Sequence, residues 1–267
     1  MKVHTLICKK SINGIGLHTG AFSEIQFIPS EKKGIRFWKN DICIPVSPKF
    51  VIETKRGVVL GKDGGKIQTV EHLLAAIRWL GISSLEIQVN GDEIPILDGS
   101  SAGWIKLLEP CRKETPEEFD ELPLKKPILI QEKDAYIKAA PSTSFSIQYT
   151  IDFPAPIGTQ TWKGKISSDL FKNDIAPART FGFAEELESL REKGLAVGGN
   201  LENCVVIKRG LMITPLRFKN EPVRHKVLDL LGDLSLLSWI PVGKFEVFKG
   251  GHFLHTLMSK ALADQAL

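Results

Sequence analysis

Hydrophobic residues recur along this chain with two different periods, which predict two kinds of secondary structure. At residues 23–28 and 85–89, bulky apolar residues alternate with polar ones, as in a half-buried β-strand. The alternation returns at residues 128–130, 136–139 and 145–151. We therefore expect strands in both parts of the chain.

Helical spacing marks other segments. Apolar side chains three and four residues apart predict a helix over residues 69–80, with Gly81 as its stop signal. These side chains are Val70, Leu73, Leu74, Ile77 and Leu80. A second helix is predicted from Pro222, which suits a first-turn position, to about Ser238. A shorter helix is expected at residues 101–108.

The segment between the two parts of the chain has the composition of a linker. Residues 109–127 are crowded with charges and interrupted by prolines. On either side of it, the helix openings Val70-Glu71-His72 and Val223-Arg224-His225 can be laid over one another. These matching residues hint at a duplicated α+β unit, with one copy on each side of the linker.

Composition and charge exclude several classes of function. The chain has 267 residues, 43% of them hydrophobic and 25% charged, with a formal net charge of +4, as in an ordinary globular protein. No Lys/Arg stripe interleaved with aromatics occurs, so we expect no nucleic-acid partner. No apolar run reaches the roughly 18 residues of a membrane span, and residues 1–10 do not resemble a signal peptide. The four single cysteines indicate reduced thiols and a cytoplasmic location.

The candidate chemistry begins with His225 and Asp229, which share a helix face because they are four residues apart. Asp233 extends that face by another turn. For the pair alone, a hydrogen-bonded His–Asp pair in solvent is the simpler interpretation. However, His225, Asp229 and Asp233 lie among residues that are expected to be buried: Val227, Leu228, Leu230, Leu231 and Leu234. Buried carboxylates need compensation, which a metal ion or a histidinium supplies.

His72 offers a third ligand from the other helix, and Glu71 precedes it as a candidate general base. If both helices carry their ligands in the opening turn, two electropositive helix ends converge on one ion. Two nitrogens and one oxygen leave a fourth position on zinc for water, as catalytic zinc sites require, although the same donors accept ferrous iron. His252, after two glycines, is a candidate general acid, whereas His255 reads as a surface or packing residue.

Six segments carry a resemblance to a known family, in family order. They are Gly14-Ile15-Gly16-Leu17-His18-Thr19-Gly20, Thr69-Val70-Glu71-His72-Leu73, Ile96-Leu97-Asp98-Gly99-Ser100, Ala178-Arg179-Thr180-Phe181, Arg224-His225-Lys226-Val227-Leu228-Asp229 with Gly232-Asp233, and Gly251-His252. Together they resemble the UDP-3-O-acyl-N-acetylglucosamine deacetylases, over nearly the whole chain. In Gram-negative bacteria these enzymes commit their substrate to lipid A synthesis.

The resemblance implies a role for each polar residue of the site. It implies zinc held by His72, His225 and Asp229, with Glu71 as the general base toward the attacking water. The remaining roles are His252 as the general acid, Asp233 orienting His252, Thr180 at the oxyanion and Lys226 near the substrate.

The resemblance also implies a tunnel for the substrate's acyl chain, formed by an insert at about residues 181–207. The tunnel-lining and neighbouring positions are Leu17, His18, Phe181, Phe183, Leu187, Ala196, Gly199, Asn200, Leu201 and Val206. Many members of the family carry a phenylalanine where this chain has Leu201, which changes the expected shape of the tunnel.

The fold and partners are expected to follow the family. We expect an α+β fold with two similar domains, residues 1–115 and 124–267, each a mainly antiparallel sheet packed with helices. The helices of the two domains are expected to be sandwiched together with the site between them. The expected substrate is a nucleotide sugar with an acyl chain, and the expected state is a monomer.

Two other classes of protein fit part of the pattern. Two histidines and a carboxylate also occur in non-haem iron oxygenases, which need oxygen for turnover. A non-catalytic nucleotide-sugar binder is the second alternative, and an assay for released acetate separates it from a deacetylase.

Overall fold

A computed structural model describes residues 1–266, and its elements fall into two runs of similar order. The first run is β1 (Lys2–Leu6), β2 (Lys10–Ile15), β3 (Phe22–Pro29), β4 (Gly34–Lys39), β5 (Ile42–Pro45), β6 (Val51–Glu53), β7 (Val59–Lys62), β8 (Gly65–Gln68), α1 (Glu71–Trp79), β9 (Ser84–Asn90) and α2 (Ala102–Leu108).

The second run begins in the predicted linker, which forms two strands. It is β10 (Arg112–Glu118), β11 (Glu121–Pro123), β12 (Ile128–Glu132), β13 (Ala135–Pro141), β14 (Ser146–Asp152), β15 (Thr159–Lys165), α3 (Ser168–Leu170), β16 (Phe181–Phe183), α4 (Leu187–Glu192), β17 (Val205–Lys208), β18 (Leu211–Met212), α5 (Glu221–Leu234), β19 (Ile240–Phe248) and α6 (His252–Ala266). Short 3-10 turns lie at Pro48–Phe50, Glu109–Cys111 and Ala184–Glu186, and a π-helical turn at Phe171–Ile175.

The two large sheets have the same topology. Their strand orders are β2-β3-β9-β4-β5 and β12-β13-β19-β14-β15. In each of these five-strand orders two hairpins flank a central strand that comes last in the chain, and this strand is antiparallel to one flanking strand and parallel to the other. The second sheet has a sixth strand, because β11 also pairs in parallel with β19. Helices α1 and α5 precede the central strands, and α2 and α6 follow them. This α+β arrangement, mostly antiparallel, agrees with the fold class expected from the sequence.

The expected strand alternation is present and turns one face of each sheet inward. Ile25 and Phe27 of β3 pair with Val89 and Ile87 of β9, and all four side chains are buried. In the second sheet the fully buried Tyr149 of β14 pairs with Val247 of β19.

Helices α1 and α5 pack against each other between the sheets. Every residue of α1 is buried, and α5 is buried along most of its length. Helices that are apolar on most sides belong in an interior, so their polar residues are held in a water-poor environment.

Some predicted boundaries shift by a few residues for local reasons. Helix α1 begins after Thr69, because this residue has a positive φ of 59°, which a helix does not accept. Helix α5 ends at Leu234 rather than near Ser238. Helix α6 was not expected. Among the helices of residues 1–266, none is both long and apolar enough to cross a membrane.

Candidate metal centre and active site

Three candidate ligands meet where α1 and α5 pack together. Nε2 of His72 lies 3.6 Å from Oδ1 of Asp229, and Nε2 of His225 lies 3.3 Å from the same oxygen. The two imidazole rings stand nearly perpendicular, with centroids 4.9 Å apart. Ligand atoms about 2.0–2.1 Å from a tetrahedral zinc ion are about 3.3–3.4 Å from each other. The spacing therefore suits one small ion.

Two of the donors, His225 and Asp229, also have the protonation states that a metal ion requires. Nδ1 of His225 lies 3.1 Å from the carbonyl oxygen of Ala178. This oxygen accepts a hydrogen bond from the N–H at Nδ1, which leaves Nε2 as the ligand atom. Burial lowers the pKa of His225 to about 4, so the ring is neutral near pH 7. Burial opposes ionisation of Asp229, but Lys226 and His225 hold its pKa well below its usual range.

One buried oxygen in this group has no other partner. Oδ1 of Asp229 accepts no hydrogen bond from any of residues 1–266, although it is shielded from solvent. A buried carboxylate oxygen without a donor is costly, and a cation shared with His72 and His225 would compensate it. These residues thus fit a divalent metal ion.

The expectation that both helices carry ligands in their opening turn is wrong for α5. Pro222 does lie in the first turn, but the helix already begins at Glu221, so His225 lies one turn in and Asp229 a further turn along. Of these two helices, α1 alone has its first turn at the site, through Glu71 and His72.

Glu71 is buried beside the three ligands and is held by the backbone. Its Oε2 accepts a hydrogen bond of 3.0 Å from the N–H of Val58, in the loop before β7. Its Oε1 lies 3.8 Å from Nε2 of His252 and accepts no hydrogen bond from residues 1–266 at normal distance. One carboxylate oxygen is therefore anchored, and the other faces the cleft.

His252 begins helix α6 and faces Glu71 across the cleft. Its Nδ1 lies 2.8 Å from Oδ2 of Asp233, while its Nε2 points toward Glu71 and Asp229. Burial alone would lower the pKa of His252, but Asp233, Asp229 and Glu71 raise it to about 9. Burial opposes the charge of Asp233 too, and His252 keeps its pKa lowered. A protonated imidazole thus faces a buried carboxylate.

Lys226 and Thr180 complete the rim of the site. Nζ of Lys226 lies 2.5 Å from Oδ2 of Asp229. Thr180 is fixed by its backbone, since its N–H donates to Gly99 and its carbonyl accepts from Val205. The neighbouring Arg179 forms a buried ion pair with Glu221 at the start of α5, which ties the Thr180 segment to the ligand helix.

A cavity of about 360 Å³ joins these groups to an apolar wall. It is lined by Leu17, Arg56, Thr69, Glu71, His72, Phe153, Thr180, Phe181, Gly182, Phe183, Glu186, His225, Lys226, Asp229 and His252. The metal-ligand and acid–base residues expected from the sequence are therefore brought together, with Asp233 directly behind His252.

The expected acyl-tunnel residues divide into two groups. Leu17, Phe181 and Phe183 line this cavity. The others lie along the insert or against it, outside the cavity lining: His18, Leu187, Ala196, Gly199, Asn200, Leu201 and Val206.

His18 and Leu201 show how different the residues of the second group are. His18 is buried, and its ring accepts a hydrogen bond from the N–H of Ala196 at 3.4 Å and contacts the carbonyl of Arg56 at 3.1 Å. Leu201 is exposed by 56%.

Several residues of the site could not be singled out from the sequence. Glu93 is fully buried and accepts hydrogen bonds from His18, Thr19 and Thr69, so it fixes the loop after β2. His255, expected to be a surface or packing residue, is completely buried and contacts Asp233 and Tyr149. The only available signal was its position three residues after His252, on the same helical face.

Comparisons with known proteins identify the family of this chain. A family model described as UDP-3-O-acyl N-acetylglycosamine deacetylase matches residues 3–264. A protein of Sulfurimonas denitrificans named UDP-3-O-acyl-N-acetylglucosamine deacetylase is 42% identical over 96% of this chain and 90% of its own length. Proteins of the same name from Synechocystis and Helicobacter pylori are 40% and 38% identical, over 98% and 100% of this chain and 98% and 92% of their own lengths. The chain therefore belongs to the UDP-3-O-acyl N-acetylglycosamine deacetylase family.

Proposed function

We propose that this chain hydrolyses the N-acetyl group of UDP-3-O-acyl-N-acetylglucosamine, giving acetate and UDP-3-O-acyl-glucosamine. Its family and the names of its relatives support this reaction. One observation carries the proposal: two imidazoles and a carboxylate from separate helices meet between a buried glutamate and a buried His–Asp pair. Neither alternative class receives support from the comparisons. The cytoplasmic location and monomeric state expected from the sequence stay predictions.

The metal ion would be held by His72, His225 and Asp229, and we propose zinc. Neutral nitrogens and one carboxylate suit zinc, and ferrous iron is the other ion that these donors accept. When bound, the ion would polarise the amide carbonyl and lower the pKa of the attacking water.

Glu71 is proposed to take the proton from the attacking water. The hydrogen bond from Val58 fixes the carboxylate, and its second oxygen lies 3.8 Å from Nε2 of His252, in the cavity that the ligand imidazoles also line. A base placed in this way needs no reorientation before the proton moves. The hydroxyl group of Thr180 would contribute a hydrogen bond to the oxyanion on the opposite side of the amide.

His252 is proposed to donate a proton to the leaving nitrogen. An amide nitrogen leaves only as an amine, so an acid is needed at that atom. Asp233 keeps a proton on Nδ1, which leaves the proton on Nε2 directed into the cleft when the ring is charged. Lys226 would help to keep Asp229 ionised as a ligand.

The acyl chain is proposed to leave the cleft along the apolar wall. Phe181 and Phe183 supply this wall on β16, and Leu17 closes it from the loop after β2. The insert continues beyond them with the half-buried Leu187 and Val206, which would extend the path of the chain. The length of acyl chain that fits best would then be set by the insert.

The reaction is tested by incubating the purified protein with the acylated UDP-sugar, with and without a chelator, and measuring acetate. We expect acetate release that the chelator abolishes and added zinc restores. Metal-loaded protein that releases no acetate would overturn the proposal. Binding of the UDP-sugar without turnover would favour the non-catalytic binder, and oxygen-dependent turnover would favour the oxygenase.

Two variants separate the base from the acid. Glu71→Gln keeps the side-chain size and can still accept from Val58, so it should retain metal while losing most turnover. His252→Gln should flatten the alkaline limb of the pH–rate profile, because that limb reports loss of the acid's proton. Unchanged turnover in the first variant, or an intact alkaline limb in the second, would count against these roles.

A further inference from the structure

A row of four hydrogen-bonded side chains extends behind His252 into the second half of the protein. Oδ2 of Asp233 lies 2.8 Å from Nδ1 of His252 and 2.8 Å from Nδ1 of His255. Nε2 of His255 lies 2.9 Å from the hydroxyl oxygen of Tyr149, on strand β14. A Cβ at Gly250 would lie 2.9 Å from this hydroxyl oxygen and 3.1 Å from Nε2 of His255, so glycine there leaves room for the pair.

The direction of each hydrogen bond in this row is fixed by its buried ends. Burial raises the pKa of Tyr149 well above its usual range, so its hydroxyl group keeps its proton and donates. Burial also lowers the pKa of His255, which favours the neutral ring. Nε2 of this ring then accepts, so its proton must sit on Nδ1. Nδ1 donates to Asp233, which therefore receives N–H donors from two histidines.

A second metal ion is a poorer explanation of the same residues. Asp233, His252 and His255 have ligand atoms within 4.8 Å of one another, as a metal site would need. However, both Nδ1 atoms lie at ordinary hydrogen-bond distance from a single carboxylate oxygen. The hydroxyl group of Tyr149 occupies the other nitrogen of His255, so that ring has no free lone pair on Nδ1 to offer a cation.

We propose that His255 and Tyr149 are positioning residues that fix the orientation of Asp233 and, through it, of His252. This inference rests on the proposed function, in which His252 is the acid. Asp233, His255 and Tyr149 are completely or almost completely buried, so bulk solvent does not reach the carboxylate of Asp233. A carboxylate with one donor can turn about its bond to Cβ, whereas a second donor from a rigid ring restrains it.

The inference is tested with two variants of nearly equal shape, His255→Asn and His255→Leu. Both lose the hydrogen bond to Tyr149, and they share whatever damage that loss causes. Only asparagine can place an N–H donor at the distance of Nδ1 from Cβ. We expect His255→Leu to lower kcat by about 10–100-fold, the usual effect of removing a partner that orients an active group. KM and bound metal should stay near the wild-type values, and His255→Asn should recover most of the lost kcat.

The tautomer of His255 provides a readout that needs no activity. In ¹⁵N-histidine-labelled wild-type protein, His255 should be neutral with its proton on Nδ1. Tyr149→Phe keeps the ring and removes the hydroxyl group, so it should lower kcat less than His255→Leu and leave metal content unchanged.

The outcomes separate this inference from the proposed function. Equal kcat values for His255→Asn and His255→Leu, or a proton on Nε2 of His255, would overturn the positioning role while acetate release by the wild type still supported the deacetylase. Absence of acetate from the wild type would overturn the deacetylase, while the tautomer would still show whether the hydrogen-bonded row exists.

Discussion

Gly232 lets helix α5 approach the first turn of α1, and alanine at this position should damage the site. A Cβ there would lie 2.3 Å from the carbonyl oxygen of Glu71 and 2.8 Å from its carbonyl carbon. These are backbone atoms, so no side-chain rotation can relieve the contact. Gly232 lies inside α5 without a positive φ, so its own conformation accepts alanine. Any damage by Gly232→Ala must therefore come from the contact between the helices.

The expected magnitude follows from the size of this overlap. Carbon and oxygen stay about 3.3 Å apart even in a short C–H···O contact, so the helices must separate by roughly 1 Å. The hydroxyl group of Ser101 donates 2.7 Å to the carbonyl of His72 and restrains α1 from its other side. The distance between Nε2 of His72 and Oδ1 of Asp229 is 3.6 Å, already slightly longer than the about 3.3–3.4 Å that tetrahedral zinc needs. Separation of the helices would lengthen it further.

Stability and activity should respond to different degrees. Overpacking costs about 1–3 kcal/mol, and the better helix propensity of alanine offsets up to about 1 kcal/mol of it. We expect the free energy of unfolding to fall by about 2 kcal/mol or less. Misplacement of reacting groups by about 1 Å can cost about 100-fold, so kcat/KM should fall by about two orders of magnitude.

Acetate release, bound metal and urea unfolding measure these effects in one preparation. Gly103→Ala is the matched control, because a Cβ at this position in α2 meets only the side chain of Leu97, whose end can turn aside. The control should keep activity within about twofold. The reasoning would be refuted if Gly232→Ala kept kcat/KM within about threefold of the wild-type value. It would also be refuted if the loss of activity were no larger than the fraction of the variant that is unfolded.

Three other outcomes can be measured. His225→Ala should lose bound metal by elemental analysis, and normal metal content would remove its ligand role. In chelator-treated protein the free energy of unfolding should fall below about pH 6.5 toward pH 4, because unfolded histidine takes up a proton that buried His225, with its pKa of about 4, refuses. The free energy of unfolding should also fall from about pH 6.5 to 9, because the stability that His252 gains from its raised pKa of about 9 is lost over this range. If the pH profile of the free energy of unfolding stayed the same in His225→Asn and in His252→Asn, both assignments would be contradicted. Gly198→Ala should raise KM more than it lowers kcat, since its Cβ would meet the carbonyl oxygen of Gly16 at 2.1 Å and displace the insert; equal changes in both constants would argue against this.

The parts of the site that lie on regular helices could be predicted from sequence. His225, Asp229 and Asp233 fall at intervals of four residues within an apolar pattern, and this spacing alone places them on one buried face. His72 and Glu71 follow from the same reasoning on α1. The resemblance to a family added the roles, which spacing cannot supply.

The parts that depend on long-range contacts could not be predicted in this way. Glu93 lies in a loop, and its burial depends on donors from His18, Thr19 and Thr69 that only the folded chain brings to it. The contact of His255 with Tyr149 joins residues 106 positions apart. Helix α5 begins at Glu221, one residue before the predicted start, so His225 lies beyond the first turn in which it was expected.

The shared topology of the two halves explains why the site lies between α1 and α5. His72 and His225 are each the third residue of the similar sequences Val70-Glu71-His72 and Val223-Arg224-His225. Packing of α1 against α5 brings one imidazole from each half to the same point, although His72 lies in the first turn of its helix and His225 one turn further along. The next turns differ, because Asp229 lies four residues beyond His225 whereas Ala76 lies four beyond His72. Ala76 carries no charge, and a single carboxylate avoids the repulsion that two would create in a buried site. This difference between the two helices gives the centre two nitrogen donors and one oxygen donor.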